Sequence, residues 1–142
     1  ETELYYRYRP AADGTASDQA KGVILIVHGY AEHGGRYEHF MKALSEDGWS
    51  SYAFDLRGHG NSEGFRAFIL RFEHLVRDLR VMLDFVRARE KDIPVFLFGH
   101  SAGAAVCLRF AEKMNDEVAG VITSSAYLRS RNRESPWLRV AA

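Results

Sequence analysis

Residues 23–27 read Val-Ile-Leu-Ile-Val, and no other stretch limits so strongly what this chain can fold into. Five consecutive apolar residues, four of them β-branched, leave no polar side to face water. A half-solvated strand would alternate, so this one is expected to be buried on both faces, as strands are in a parallel sheet. Residues 50–56 (SSYAFDL) read as a second core strand, 93–98 (IPVFLF) as a third buried strand and 118–124 (VAGVITS) as a fourth strand.

Between these runs the period changes from two to that of a helix. Within 36–48, Tyr37, Phe40, Met41 and Leu44 fall on one helical face, and Gly48 is placed to end it. Phe65, Phe68, Ile69, Phe72, Leu75, Val76, Leu79, Leu83 and Val86 form an apolar stripe that predicts one helix over 65–89, its charged residues turned to water. A third helix is expected over 102–114, directly after the 93–98 strand. Residues 4–10 (LYYRYRP) alternate and are aromatic-rich, an edge strand ended by Pro10, and a polar loop follows. Strands alternating with helices specify the α/β class, a parallel sheet covered on both faces through right-handed crossovers. The 142 residues suffice for one domain, able to bury roughly 70% of its unfolded surface.

In such sheets ligands bind beyond the carboxyl ends of the strands. The unusual residues of this chain all fall there: His28-Gly29-Tyr30, Asp55 with Arg57-Gly58-His59-Gly60, Gly99-His100-Ser101, and Ser124-Ser125. Residues 99–103, GHSAG, match the G-x-S-x-G pattern between a predicted strand and a predicted helix. On such an elbow the serine is strained, the glycines relieve crowding, and Ser101 projects at a helix N-terminus that favours developing negative charge. A serine N-cap in a glycine-rich turn is the alternative. Acyl transfer also needs oxyanion donors, here expected from the backbone N–H groups of Ala102 and of Tyr30, with Gly29 letting the chain turn back sharply.

The blocks VHGYAEHGGRYEHF, AFDLRGHGNSEG and VFLFGHSAGAA, in this order and spacing, resemble the monoacylglycerol lipase and lysophospholipase group of α/β-hydrolases. The resemblance covers nearly the whole chain and implies a three-layer parallel-sheet fold with Ser101 as nucleophile. It also implies Tyr30 and Ala102 as oxyanion donors, and a monoacyl lipid or similar carboxylic ester as substrate. The group usually has methionine and two glycines after the serine. Ala102-Gly103-Ala104 departs from this and widens the pocket floor.

Ser101 needs a base to take its proton, and α/β-hydrolases order the triad serine, acid, histidine. No histidine follows Ser101; His28, His33, His39, His59, His74 and His100 all precede it. His39 and His74 lie on predicted helices, His100 diverges from its neighbour on a tight elbow, and the family positions of His28 and His59 are loop-ordering. HGYAEH lacks the spacing that places two imidazoles on one helical face, so no metal site is expected. At the other end, Ser135 and Pro136 read as the start of a helix, where the resembling family begins its cap. Residues 1–142 are therefore expected to form the N-terminal part of a single hydrolase domain, elbow at 99–103 and cap starting near 135. The acid and the histidine are expected from the missing C-terminal half, in cis or as a separate chain, and these residues alone should be inactive.

Lysine plus arginine equals aspartate plus glutamate, so no global field recruits nucleic acid. The patch LRSRNR at 128–133 reads as a solvated loop or as a peripheral contact with anionic lipid. Cys107, the single cysteine, forms no intrachain disulfide. No apolar run approaches the ~20 residues of a membrane span, and a cytoplasmic or membrane-peripheral setting fits the chain. No cofactor is implied. Two other functions share these residues: a binding or scaffold module that never acquires a base, and a serine-elbow peptidase or thioesterase.

Overall fold

The computed structural model describes residues 2–12 and 20–128. Its five strands, β1 (Tyr6–Arg9), β2 (Val23–Val27), β3 (Ser50–Phe54), β4 (Val95–His100) and β5 (Gly120–Ser124), form one sheet in the order β1-β3-β2-β4-β5. β2, β3, β4 and β5 run parallel, while β1 pairs antiparallel with β3 at the edge. The continuous apolar run of β2 is buried at every position, as its sequence requires.

Three helices cover the two faces. Ile24 and Ile26 of β2 pack on α1 (Glu38–Glu46) through Met41, with Tyr37, Phe40 and Leu44 beside it. Val23, Leu25 and Val27 point the other way, into the larger core made with α2 (Phe72–Arg89) and α3 (Ala102–Met114). Leu75, Leu79, Leu83 and Val86 of α2 meet Val106, Cys107 and Phe110 of α3 there. Strand order reverses at β2: the crossover through α1 leads to β3 on one side, and that through α2 leads to β4 on the other. The crevice between the carboxyl ends of β2 and β4 is thus the topological switch point.

The expected helix over 65–89 is shorter. α2 begins at Phe72, and Phe65, Phe68 and Ile69 lie in a preceding loop. Right-handed helix cannot pass through Gly64 (φ 113°) and Ala67 (φ 53°), and Arg71 at the N-cap is extended, without a capping side chain. The loop closes on itself through Gly58 N–H to the Glu63 carbonyl (2.8 Å) and Ala67 N–H to the Gly58 carbonyl (2.9 Å). One charged residue of α2 also departs from the expected exposed face. Asp78 is buried and takes a two-pronged bond from Arg57, Nε to Oδ2 at 2.6 Å and Nη2 to Oδ1 at 2.5 Å. The arginine patch 128–133, past Leu128, and the cap helix expected from Ser135 and Pro136 lie outside the described residues.

Candidate active site

Ser101 follows β4 and immediately precedes α3 with φ 52°, the left-handed region, which costs a non-glycine residue roughly 1–3 kcal/mol. The elbow is possible because of what its neighbours lack. A Cβ on Gly99 would stand 2.5 Å from the Ala104 Cα, and one on Gly103 would strike the carbonyl oxygens of Val27 and His28. α3 therefore starts pressed against the end of β2. The Ser101 N–H donates to the Ser124 carbonyl (2.9 Å), and its own carbonyl accepts from Tyr127 N–H (3.1 Å), so the turn is tied to the loop after β5.

The loop after β2 lies directly against this serine. A Cβ on Gly29 would come within 3.1 Å of the Ser101 Cβ. This close approach favours glycine there; the expected sharp reversal at Gly29 is instead made by Ala31, at φ 60°. Among the described residues neither the N–H of Tyr30 nor that of Ala102 has a hydrogen-bond acceptor. For Ala102 this follows from its place at a helix start, where N–H groups have no partner within the helix. The structure thus sets Gly29, next to Tyr30 in the loop after β2, against Ser101, whose own helix begins at Ala102. The Ser101 hydroxyl, half-buried, makes no hydrogen bond with any described side chain.

Each histidine has another place. His28 is fully buried; its Nε2 accepts Leu56 N–H at 2.9 Å and its Nδ1 donates to the Gly29 carbonyl at 2.6 Å. Burial pushes its pKa down to about 4, only partly offset by the Gly29 bond, so it stays neutral. His59 donates from Nδ1 to the Arg57 carbonyl (3.0 Å) and stacks edge-on to Tyr30, centroids 5.3 Å apart. His100 meets the Ser124 hydroxyl at 3.3 Å. His33 and His39 are exposed, and His74 lies on α2. The loop-ordering role expected of His28 and His59 is visible in these bonds. Among the described residues no three His, Cys, Asp or Glu side chains converge as a metal ion would require.

Two carboxylates hold the loops of the site: Glu32, which the sequence did not single out, and Asp55, which it placed on this rim without a role. Glu32 Oε1 accepts Gly29 N–H at 2.5 Å and the Tyr37 hydroxyl at 2.8 Å. Burial acts to raise its pKa, but these two bonds and the nearby His28 and His100 outweigh it and the net shift is downward. Asp55, fully buried, accepts Gly34 N–H (2.7 Å), Asn61 N–H (2.9 Å) and Arg7 Nη1 (3.1 Å). The signal for both was present: acids at strand ends inside glycine-rich loops, where backbone N–H groups need acceptors.

The family model described as serine aminopeptidase, S33, matches residues 18–142. A monoacylglycerol lipase of Mycolicibacterium smegmatis is 30% identical over 128 residues, covering 90% of this chain and 46% of that protein. The monoglyceride lipase of Rattus norvegicus is 33% identical over 126 residues, 89% of this chain and 42% of its own length. The crystal structure of the Paleococcus ferrophilus monoacylglycerol lipase superposes with a TM-score of 0.77 at 30% identity, over 96% of this chain and 48% of that one. The chain spans less than half the length of these relatives.

Proposed function

Because the chain belongs to the serine aminopeptidase S33 family of α/β-hydrolases, we propose that Ser101 is the nucleophile of an ester hydrolase acting on monoacyl lipids or similar carboxylic esters. The observation that carries this is the elbow itself: a serine at φ 52° between β4 and α3, facing the Gly29-Tyr30 loop. The Ser101 hydroxyl attacks the acyl carbonyl, and the oxyanion is held by the N–H groups of Tyr30 and Ala102. The alcohol departs, leaving an acyl-enzyme that water hydrolyses. No cofactor enters this chemistry.

The proton of Ser101 goes to a histidine oriented by an acid, and we assign both to the part of the fold that the relatives have in their other half. Residues 1–142 are on this reading the N-terminal part of one hydrolase domain, its complement joined in cis or supplied as a separate chain. An ester is favoured over a peptide because the relatives at 30–33% identity are lipases of monoacylglycerols. Labelling of the complete polypeptide by a fluorophosphonate probe tests this. Ser101→Ala should abolish it, whereas undiminished labelling of that variant rules out Ser101 as the nucleophile.

A further inference from the structure

Residues 65–71, in the loop that replaces the start of the expected helix, read Phe-Arg-Ala-Phe-Ile-Leu-Arg, without an acidic residue. Phe65 is 83% exposed, Leu70 64% and Phe68 51%. Single apolar residues on a surface are ordinary, but three within six positions make a patch. The backbone keeps them outward. Besides the bonds that tie the loop to Gly58, Phe68 N–H donates to the Phe65 carbonyl at 3.1 Å. Arg66 and Arg71 flank the patch, both exposed; Arg66 spends Nη1 on the Gly60 carbonyl (2.8 Å) and keeps its other donors. The loop also touches the site: the Tyr30 hydroxyl donates to the Ala67 carbonyl at 2.7 Å.

We propose that this loop seats the rim of the site on a lipid surface, with Phe65, Phe68 and Leu70 among the acyl chains and Arg66 and Arg71 on the phosphates of anionic headgroups. Alternation of apolar and cationic side chains with no acid suits such an interface, where the apolar parts sink and the charges meet phosphate. The inference rests on the proposed lipid hydrolysis for its purpose, since a substrate held in a lipid surface has to enter at the rim. It differs from the arginine patch at 128–133.

Cys107, the chain's single cysteine, is fully buried and its thiol pKa is pushed up by burial. Within residues 1–142 a Phe65→Cys variant therefore offers an environment-sensitive nitrobenzoxadiazole label position 65 alone; in the complete polypeptide any cysteine outside these residues is first replaced by serine, and the same protein with Phe65 intact serves as the unlabelled blank. Its emission should be that of a water-exposed dye in buffer and with phosphatidylcholine vesicles. It should brighten and shift to the blue when the vesicles contain phosphatidylglycerol. In the unlabelled protein, replacing Phe65, Phe68 and Leu70 by serine should weaken co-sedimentation with those vesicles ~10-fold or more, and Arg66→Gln or Arg71→Gln roughly fivefold each. Hydrolysis of a short soluble ester should be unchanged in all of them. A label already blue in buffer means that another part of the protein or a second subunit covers the loop, and overturns the proposal; so does a label that stays in water with anionic vesicles. Binding is read without hydrolysis, so a protein that docks but cleaves no ester refutes the functional reading alone.

Discussion

The Nε2 of His28 accepts the backbone N–H of Leu56 at 2.9 Å, so one buried imidazole joins the chain leaving β2 to the chain leaving β3. With Nδ1 donating to Gly29, both ring nitrogens are committed and the neutral form is required. A proton on Nε2 would set two donors against each other.

Stability should therefore fall in mild acid. Above pH 6.5 the imidazole is neutral in folded and unfolded chains alike. Between pH 6.5 and about 4 the unfolded chain takes up a proton that the folded chain refuses. Unfolding free energy should drop as pH falls through this window, by at most about 3 kcal/mol. Denaturant titrations at several pH values would show it, and His28→Gln should remove this part of the slope. An unchanged slope in that variant would exclude His28 as its source.

Glu32 holds the loop that carries the Tyr30 donor, through Gly29 N–H and the Tyr37 hydroxyl. Glu32→Ala leaves both donors unpaired, and bonds to a charged group are worth about 1.5–3 kcal/mol. The rate of fluorophosphonate labelling should fall roughly 10- to 100-fold, while Glu32→Gln, which can still accept a bond, should restore much of it. Equal rates in wild type and Glu32→Ala would detach this carboxylate from the oxyanion loop.

Helix α3 was legible to its ends in the sequence, because a small-residue run directly after a buried strand leaves little choice of boundary. The strands were legible to within two residues: the continuous β-branched run of β2 can be satisfied only between two covered faces, and the other runs are bounded by turn residues. The start of α2 was not. The apolar spacing of Phe65, Phe68 and Ile69 fits a helix, but the backbone reverses at Gly64 and Ala67, and an alanine at positive φ leaves no mark in a hydrophobic pattern. Ser101 and the loop after β2 were found from their motifs. Asp55 was placed on the same rim without a role and Glu32 was not singled out, since what both do is accept backbone N–H groups whose positions only the folded loops reveal.

Gly103 sits where a side chain would meet the carbonyl oxygens of Val27 and His28, which are backbone atoms and cannot swing away. Gly103→Ala should cost about 1–3 kcal/mol by forcing α3 off the sheet. Thermal unfolding measures it, and a neutral effect would mean that α3 has more room above β2 than these contacts allow.

The strain at Ser101 predicts an opposite effect. With φ at 52°, Ser101→Gly should be more stable than Ser101→Ala by about 1 kcal/mol, because glycine enters the left-handed region without a Cβ penalty. Both variants lack the hydroxyl, so the comparison isolates the backbone. A more stable alanine variant would contradict the elbow geometry.

The division of labour assigned to this chain, nucleophile and oxyanion donors inside residues 1–142 and the activating imidazole outside them, is tested most directly by acyl-enzyme burst kinetics. The 142-residue chain alone, mixed rapidly with a p-nitrophenyl ester, should release nitrophenol no faster than its Ser101→Ala variant. A stoichiometric burst that disappears in that variant would place the base among these residues and contradict the account.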